Sequence, residues 1–161
     1  MLIRRLALHQ LRRFSAVDLS PQPGLNLLTG DNGAGKTSVL EALHLMAYGR
    51  SFRGRVRDGL VRQGQEALEI FVEWDEQRAD HPPHRRKAGL RHSGQDWKGR
   101  LDGEDVAQLG NLCAALAVVT FEPGSHALVS GGGEPRRRSS IGACSTWNRV
   151  FSPCGAAIPG R

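Results

Sequence analysis

Two short stretches rich in apolar and β-forming residues open the chain, Leu2-Ile3-Arg4-Arg5-Leu6-Ala7-Leu8 and Phe14-Ser15-Ala16-Val17-Asp18-Leu19. With His9-Gln10-Leu11-Arg12-Arg13 between them, they predict a hairpin-like pair of strands. Gly24-Leu25-Asn26-Leu27-Leu28-Thr29, an apolar run opened by Pro21, Pro23 and Gly24, predicts a buried strand. From Thr37 to Tyr48 there is no glycine or proline. Val39, Leu40, Leu43, Met46 and Ala47 recur there at helical spacing, with Glu41 and His44 expected to face elsewhere, and Gly49 closes the helix.

Further along, Ala67-Leu68-Glu69-Ile70-Phe71-Val72-Glu73-Trp74 predicts a strand and Lys87-Ala88-Gly89-Leu90-Arg91-His92 a weaker one. Asp80-His81-Pro82-Pro83-His84-Arg85-Arg86 between them reads as a polar turn. His81 and His84 stand three apart, but the prolines preclude a helix and no cysteine or carboxylate cluster accompanies them, so a loop is favoured over a metal site. Leu112 to Phe121 is nearly unbroken in apolar residues. Its Leu116 to Phe121 part predicts a buried strand, with Cys113 packed as a small hydrophobe.

The chemistry lies where the third predicted strand meets the helix. Gly30-Asp31-Asn32-Gly33-Ala34-Gly35-Lys36-Thr37 matches GxxxxGK[ST] at every fixed position. Glycines let successive backbone N–H groups curl around phosphate oxygens without a Cβ clash, and the following helix N-terminus adds partial positive charge. Lys36 is expected to reach the β- and γ-phosphates, and the Thr37 hydroxyl to ligate Mg²⁺. The strand-loop-helix order is the context this motif requires. A nucleoside triphosphate site at Gly30 to Ser38 is therefore expected.

Composition narrows the setting. The 161 residues suit about one domain, with 39% hydrophobic and 24% charged positions. No apolar run is long enough for a membrane span, and charge breaks the N-terminal apolar stretch at once, unlike a secretory signal. Cys113, Cys144 and Cys154 form no metal pattern, which fits a reducing cytoplasm. A net charge of +6 favours polyanionic partners. Arg50, Arg53, Arg55 and Arg57 surround Phe52 directly after the helix, either as a solvated loop or as a segment facing the triphosphate or a DNA backbone. Glu122 and His126 follow the last apolar run, as a surface turn or near Mg²⁺.

Several segments in order carry a resemblance: Leu11-Arg12-Arg13-Phe14, the run from Gly24 through the phosphate loop to Ser38, Leu40-Glu41-Ala42-Leu43, and Gly49-Arg50-Ser51-Phe52-Arg53. Phe121-Glu122-Pro123-Gly124-Ser125-His126, Leu128-Val129-Ser130-Gly131 and Arg136-Arg137-Arg138 extend it. Together they resemble the RecF family of bacterial DNA replication and repair ATPases, whose heads are similar to those of ABC, SMC and Rad50 proteins. The resemblance implies an α/β fold over residues 1–138: the N-terminal part of a P-loop ABC/SMC-type ATPase head, incomplete, with a mixed sheet and the phosphate-loop helix. It further implies ATP with Mg²⁺ and ATP-dependent homodimerisation. It also implies DNA held at gaps or single-strand/double-strand junctions, recombination mediator proteins as partners, and work in gap repair and the SOS response. Arg13 becomes a candidate nucleotide contact by the same resemblance.

Two hydrolytic elements of such heads are missing from the sequence. No apolar strand ends in paired carboxylates, and Ser130-Gly131-Gly132-Gly133 is only a distant echo of the signature sequence. Binding without turnover is expected, because phosphoryl transfer depends on positioned groups. Residues 139–161 show neither helical nor strand periodicity. Shifting the frame near codon 138 permits FLDWGLFHVEP and, from Pro153 through Ile158, LWRRY, strings that resemble the family's continuation. The tail is thus expected to be out of frame and poorly ordered, a point that sequencing the locus decides. The competing readings are another P-loop ATPase, a nucleotide kinase, or a non-functional fragment; the absence of NKxD argues against a GTPase.

Overall fold

The computed structural model describes residues 1–53, 59–78 and 81–120. Eight elements follow in order: β1 (Leu2–His9), β2 (Ala16–Leu19), α1 (Lys36–Tyr48), β3 (Leu68–Arg78), β4 (His81–His92), β5 (Trp97–Leu101), β6 (Glu104–Val106) and α2 (Leu109–Ala115). The strands form one sheet in the order β2-β1-β3-β4-β5-β6, and every pairing among these described strands is antiparallel.

Alternation along the strands builds the core. Leu68, Ile70, Val72 and Trp74 of β3 are buried, as are Leu6 and Leu8 of β1 and Ala88 and Leu90 of β4. These positions meet across the ladder, with Leu8 opposite Ile70 and Ile70 opposite Leu90, so one face of the sheet is continuously apolar. Helix α2 packs on β5, β6 and α1. Gly99 on β5 lies under this packing: an added Cβ would crowd its β6 partner, 2.7 Å from Val106 Cγ2, and would meet Leu109 Cδ2 of α2 in ordinary contact at 3.4 Å. The chain divides into two units, Met1–Leu116 and Ala117–Arg161. Of the second, only residues 117–120 are described, and they form neither helix nor strand.

The opening hairpin, the phosphate-loop helix and the strand beginning near Leu68 match the sequence expectations. Gly49 ends α1 in the left-handed conformation, its N–H donating to Leu45 O at 2.8 Å.

Other expectations are corrected. Residues 24–29 are not a strand and lie exposed, Leu25 at 96% and Leu27 at 81%. Apolar composition makes a strand only when a neighbour completes the ladder, and none of the six described strands pairs with this segment. Residues 116–120 likewise form no strand. The run before them ends as helix α2, with Cys113 half-buried beside Gly49 and its thiol pKa pushed up by burial.

The polar turn expected at Asp80 to Arg86 is instead largely the first half of β4. Two prolines are accommodated there because β5 pairs only with Ala88–His92, so that no described strand borders the earlier half of β4 on that side. The ladder with β3 shifts register in the same place, between Glu76 and Arg78. Within α1, Glu41 is fully buried while Leu40 is 49% exposed, the reverse of the expected facing.

Arg55, Arg57, Glu122, His126, the Ser130–Gly133 string, Arg136–Arg138 and the tail 139–161 lie outside the described residues.

Candidate phosphate-binding site

Residues 30–35 turn on three glycines with positive φ, Gly30 at 139°, Gly33 at 80° and Gly35 at 101°. Only glycine adopts such conformations readily. Ala34 N donates to Asp31 O at 3.1 Å, closing the tip of the loop. Ser38 N and Val39 N then donate to Gly35 O at 2.8 and 3.2 Å, starting the helix. The remaining N–H groups of the first turn have no helical acceptor and define an anion-seeking end.

Lys36 turns back over the loop. Its Nζ donates to Gly30 O at 2.6 Å and to Asp31 O at 2.9 Å, which places the ammonium on the concave side. A cavity of about 320 Å³ opens there. Asn32, Gly33, Gly35, Lys36, Thr37 and Ser38 form one wall, and Arg12, Arg13 and Arg53 form the other.

The segment between β1 and β2 supplies much of that second wall. It is held by Arg12 N donating to Leu60 O and Arg62 N to Gln10 O, both at 2.8 Å, and by the full burial of Leu11. Arg13 Nη1 donates to Gly33 O, and the Phe14 ring covers Gly35. A Cβ at Gly35 would collide with the Phe14 ring, so both backbone angle and space favour glycine.

Beneath the arginines lies a buried carboxylate. Glu41 Oε1 accepts from Arg12 Nη2 at 2.7 Å and from the Ser51 hydroxyl, and Oε2 accepts from Arg12 Nε at 3.1 Å. Arg53 Nη1 stands 3.8 Å from Oε2, and the Arg53 amide donates to Ser51 Oγ at 3.0 Å. Burial alone would raise the Glu41 pKa. Hydrogen bonds from Arg12 and Ser51, with the charges of Arg12 and Arg53, outweigh it and hold the carboxyl below its ordinary range. The hydrogen bond to Glu41 raises Arg12 in turn.

Most of the expected site residues converge here. Arg13, Asn32, Gly33, Gly35, Lys36, Thr37 and Ser38 line the cavity, and Gly30 and Asp31 anchor Lys36 through their carbonyls. Ala34 closes the tip without lining the cavity, and Arg50 is exposed elsewhere. Arg53 belongs to the cavity wall. Arg12, Glu41 and Ser51 were not singled out as a set by the sequence reading. The available signal was that Glu41 shares a helix stripe with Ser38 and Leu45, three and four residues away. Among the described residues, no cluster of three or more histidine, cysteine or acidic side chains is arranged to hold a metal.

Comparison with known proteins gives this geometry its kin. A family profile described as an AAA domain matches residues 5–81. The chain is 96% identical over 138 residues to the DNA replication and repair protein RecF of Stenotrophomonas maltophilia (strain R551-3). To the RecF proteins of Xanthomonas oryzae pv. oryzae (strain MAFF 311018) and Shewanella denitrificans it is 75% and 34% identical, over 138 and 139 residues. Each match covers 86% of this chain, which spans 37–38% of the length of these curated relatives.

Two solved structures of the recombination mediator protein RecF, with ATP and with ATPrS, share the fold at TM-scores of 0.76 and 0.78 and 23% identity. They cover 91% of this chain, which corresponds to 40% and 39% of theirs. The phosphate loop, its flanking elements and these matches agree: over most of its length this chain is similar to the N-terminal part of the RecF proteins of DNA replication and repair, and it shares its fold with the corresponding part of the solved RecF structures.

Proposed function

We propose that this chain binds ATP in the cavity between the Gly30 to Ser38 loop and the arginine wall, as the nucleotide-holding part of a DNA repair protein. The observation that carries this reading is the convergence of Lys36, Arg12, Arg13 and Arg53 on one cavity at the N-terminus of a 13-residue helix. Four cationic groups beside oriented N–H donors suit a polyphosphate. Thr37 lines the same cavity and offers one oxygen to Mg²⁺, the share a phosphate loop ordinarily provides. Turnover belongs to groups this sequence does not contain.

A thermal-shift measurement tests the site. MgATP at a hundred times its dissociation constant is expected to stabilise the chain by about 2.7 kcal/mol, a rise of several degrees in melting temperature. Stabilisation by GTP or AMP but not ATP would favour a different P-loop class, and no shift with any nucleotide would refute the reading.

The relatives' role in replication and repair extends the proposal to DNA at gaps or single-strand/double-strand junctions, recombination mediator proteins as partners, ATP-dependent homodimerisation, and work in the SOS response in the cytoplasm. No helix among the described residues is long and apolar enough to cross a membrane. Arg53 faces the phosphate cavity, so the DNA contacts proposed for the arginine segment rest on Arg50, Arg55 and Arg57. Fluorescence anisotropy is expected to show weak DNA binding with little sequence preference. Affinity should fall steeply between about 50 and 200 mM salt, since phosphate contacts release counterions. Salt-independent affinity would contradict this.

The proposal also assigns residues 139–161 to a shifted reading frame. The Stenotrophomonas and Xanthomonas relatives match over 138 residues, the length of chain that precedes Ser139. An uninterrupted genomic frame encoding the tail as it stands would remove this reading.

A further inference from the structure

We propose that Glu41 is a positioning residue for nucleotide binding: with Ser51, it sets two arginines, Arg12 and Arg53, into the wall that faces the phosphate loop. The inference rests on the ATP-binding reading above and deepens it. Three observations carry it. Glu41 is fully buried, although it is a carboxylate on a helix whose other buried positions are mostly apolar. Its two oxygens engage both arginines, Arg12 through a two-point contact at 2.7 and 3.1 Å and Arg53 as an ion pair at 3.8 Å. Both arginines line the cavity opposite Lys36, while Glu41 does not.

A negative charge beside a phosphate site opposes an anion by simple Coulomb interaction. It is compatible with the site only when it fixes cations whose placement outweighs its own repulsion. The two-point contact does so for Arg12, because the planar guanidinium is held in orientation as well as in position. Ser51 completes the arrangement by donating to Glu41 through its hydroxyl while its oxygen accepts the Arg53 amide at 3.0 Å, which ties the chain after α1 to the same carboxylate. Helix α1 therefore contributes to the cavity twice, by its N-terminus directly and by its second turn through the arginines.

The test is a calorimetric titration of the full chain with MgATP, comparing Glu41→Gln in the wild-type background and in an Arg12→Ala/Arg53→Ala background. Glu41→Gln is expected to weaken MgATP binding about tenfold in the first and by less than about twofold in the second, because the residue acts through the arginines. Tighter binding in Glu41→Gln would mean that its charge only repels the nucleotide, and an equal loss in both backgrounds would mean a merely structural role. Either result overturns the inference.

Ser51→Ala keeps the carboxylate and serves if Glu41→Gln does not fold. It should weaken binding about threefold, with the loss again confined to the background that retains both arginines; unchanged affinity overturns the inference. Lys36→Ala separates the two levels. Loss of affinity there with none in Glu41→Gln overturns the positioning role alone, whereas a wild-type chain that binds no MgATP overturns both.

Discussion

Replacing Lys36 with alanine is expected to weaken ATP binding about a hundredfold while leaving the fold in place. The ammonium is held over the concave face of the loop by the carbonyls of Gly30 and Asp31, at 2.6 and 2.9 Å, and lines the cavity. Its removal takes away the one lysine charge among three arginines and two charge-assisted donors. At about 1.5 kcal/mol each these amount to roughly 3 kcal/mol, or about two orders of magnitude in affinity. The bonds lost within the protein are exposed, so stability should change little. Titration with a fluorescent ATP analogue, beside circular dichroism of both proteins, reads the two quantities separately. Affinity retained within about threefold would show that the cavity is not a phosphate site.

Glu41→Ala is expected to give the largest stability loss, about 3 kcal/mol at neutral pH. Removing one partner of a buried ion pair ordinarily costs about 3–5 kcal/mol, and the lower end applies because the Arg12 side chain keeps 22% of its surface in solvent. The effect carries a pH signature. The Glu41 pKa is lowered in the folded chain from an ordinary value of 4.5, so its contribution is fully present above that value and disappears as pH falls through the folded pKa. Urea unfolding of wild type and variant should therefore show a stability gap that is constant near neutrality and shrinks below about pH 4.5. A gap independent of pH down to about 3 would mean that the cost comes from lost packing.

The difference in legibility between the phosphate loop and its arginine wall has a physical origin. Gly30 to Thr37 is local: glycine angles, helix N-terminus and lysine all follow from eight consecutive residues, so the motif could be read directly. The Arg12–Glu41–Ser51–Arg53 arrangement joins three separated segments. Its sign in the sequence was hidden because α1 carries apolar residues on nearly every side, which leaves the phase of its buried face undetermined by pattern alone.

The β5–β6 hairpin carries a local sequence signal. Asp102-Gly103 joins Leu101 to Glu104 in a two-residue turn with φ of 54° and 99°, the conformation that such a pair of residues favours. Leu25 to Leu28 shows the opposite limit. The residues have strand composition, but strand formation depends on partners elsewhere, and composition cannot supply them.

The proline pair in β4 has a consequence for how the protein behaves at high concentration. Among the described residues the first half of β4 borders β3 on one side only, and a strand edge of this kind offers its N–H and C=O groups as a template for a neighbouring molecule. Pro82 and Pro83 lie where the β3 ladder shifts register and carry no N–H, so neither offers a donor to a neighbouring strand. Arg85 and Arg86 add charge along the same stretch. Sheet-to-sheet polymerisation is thereby discouraged at the longest exposed edge described in the protein.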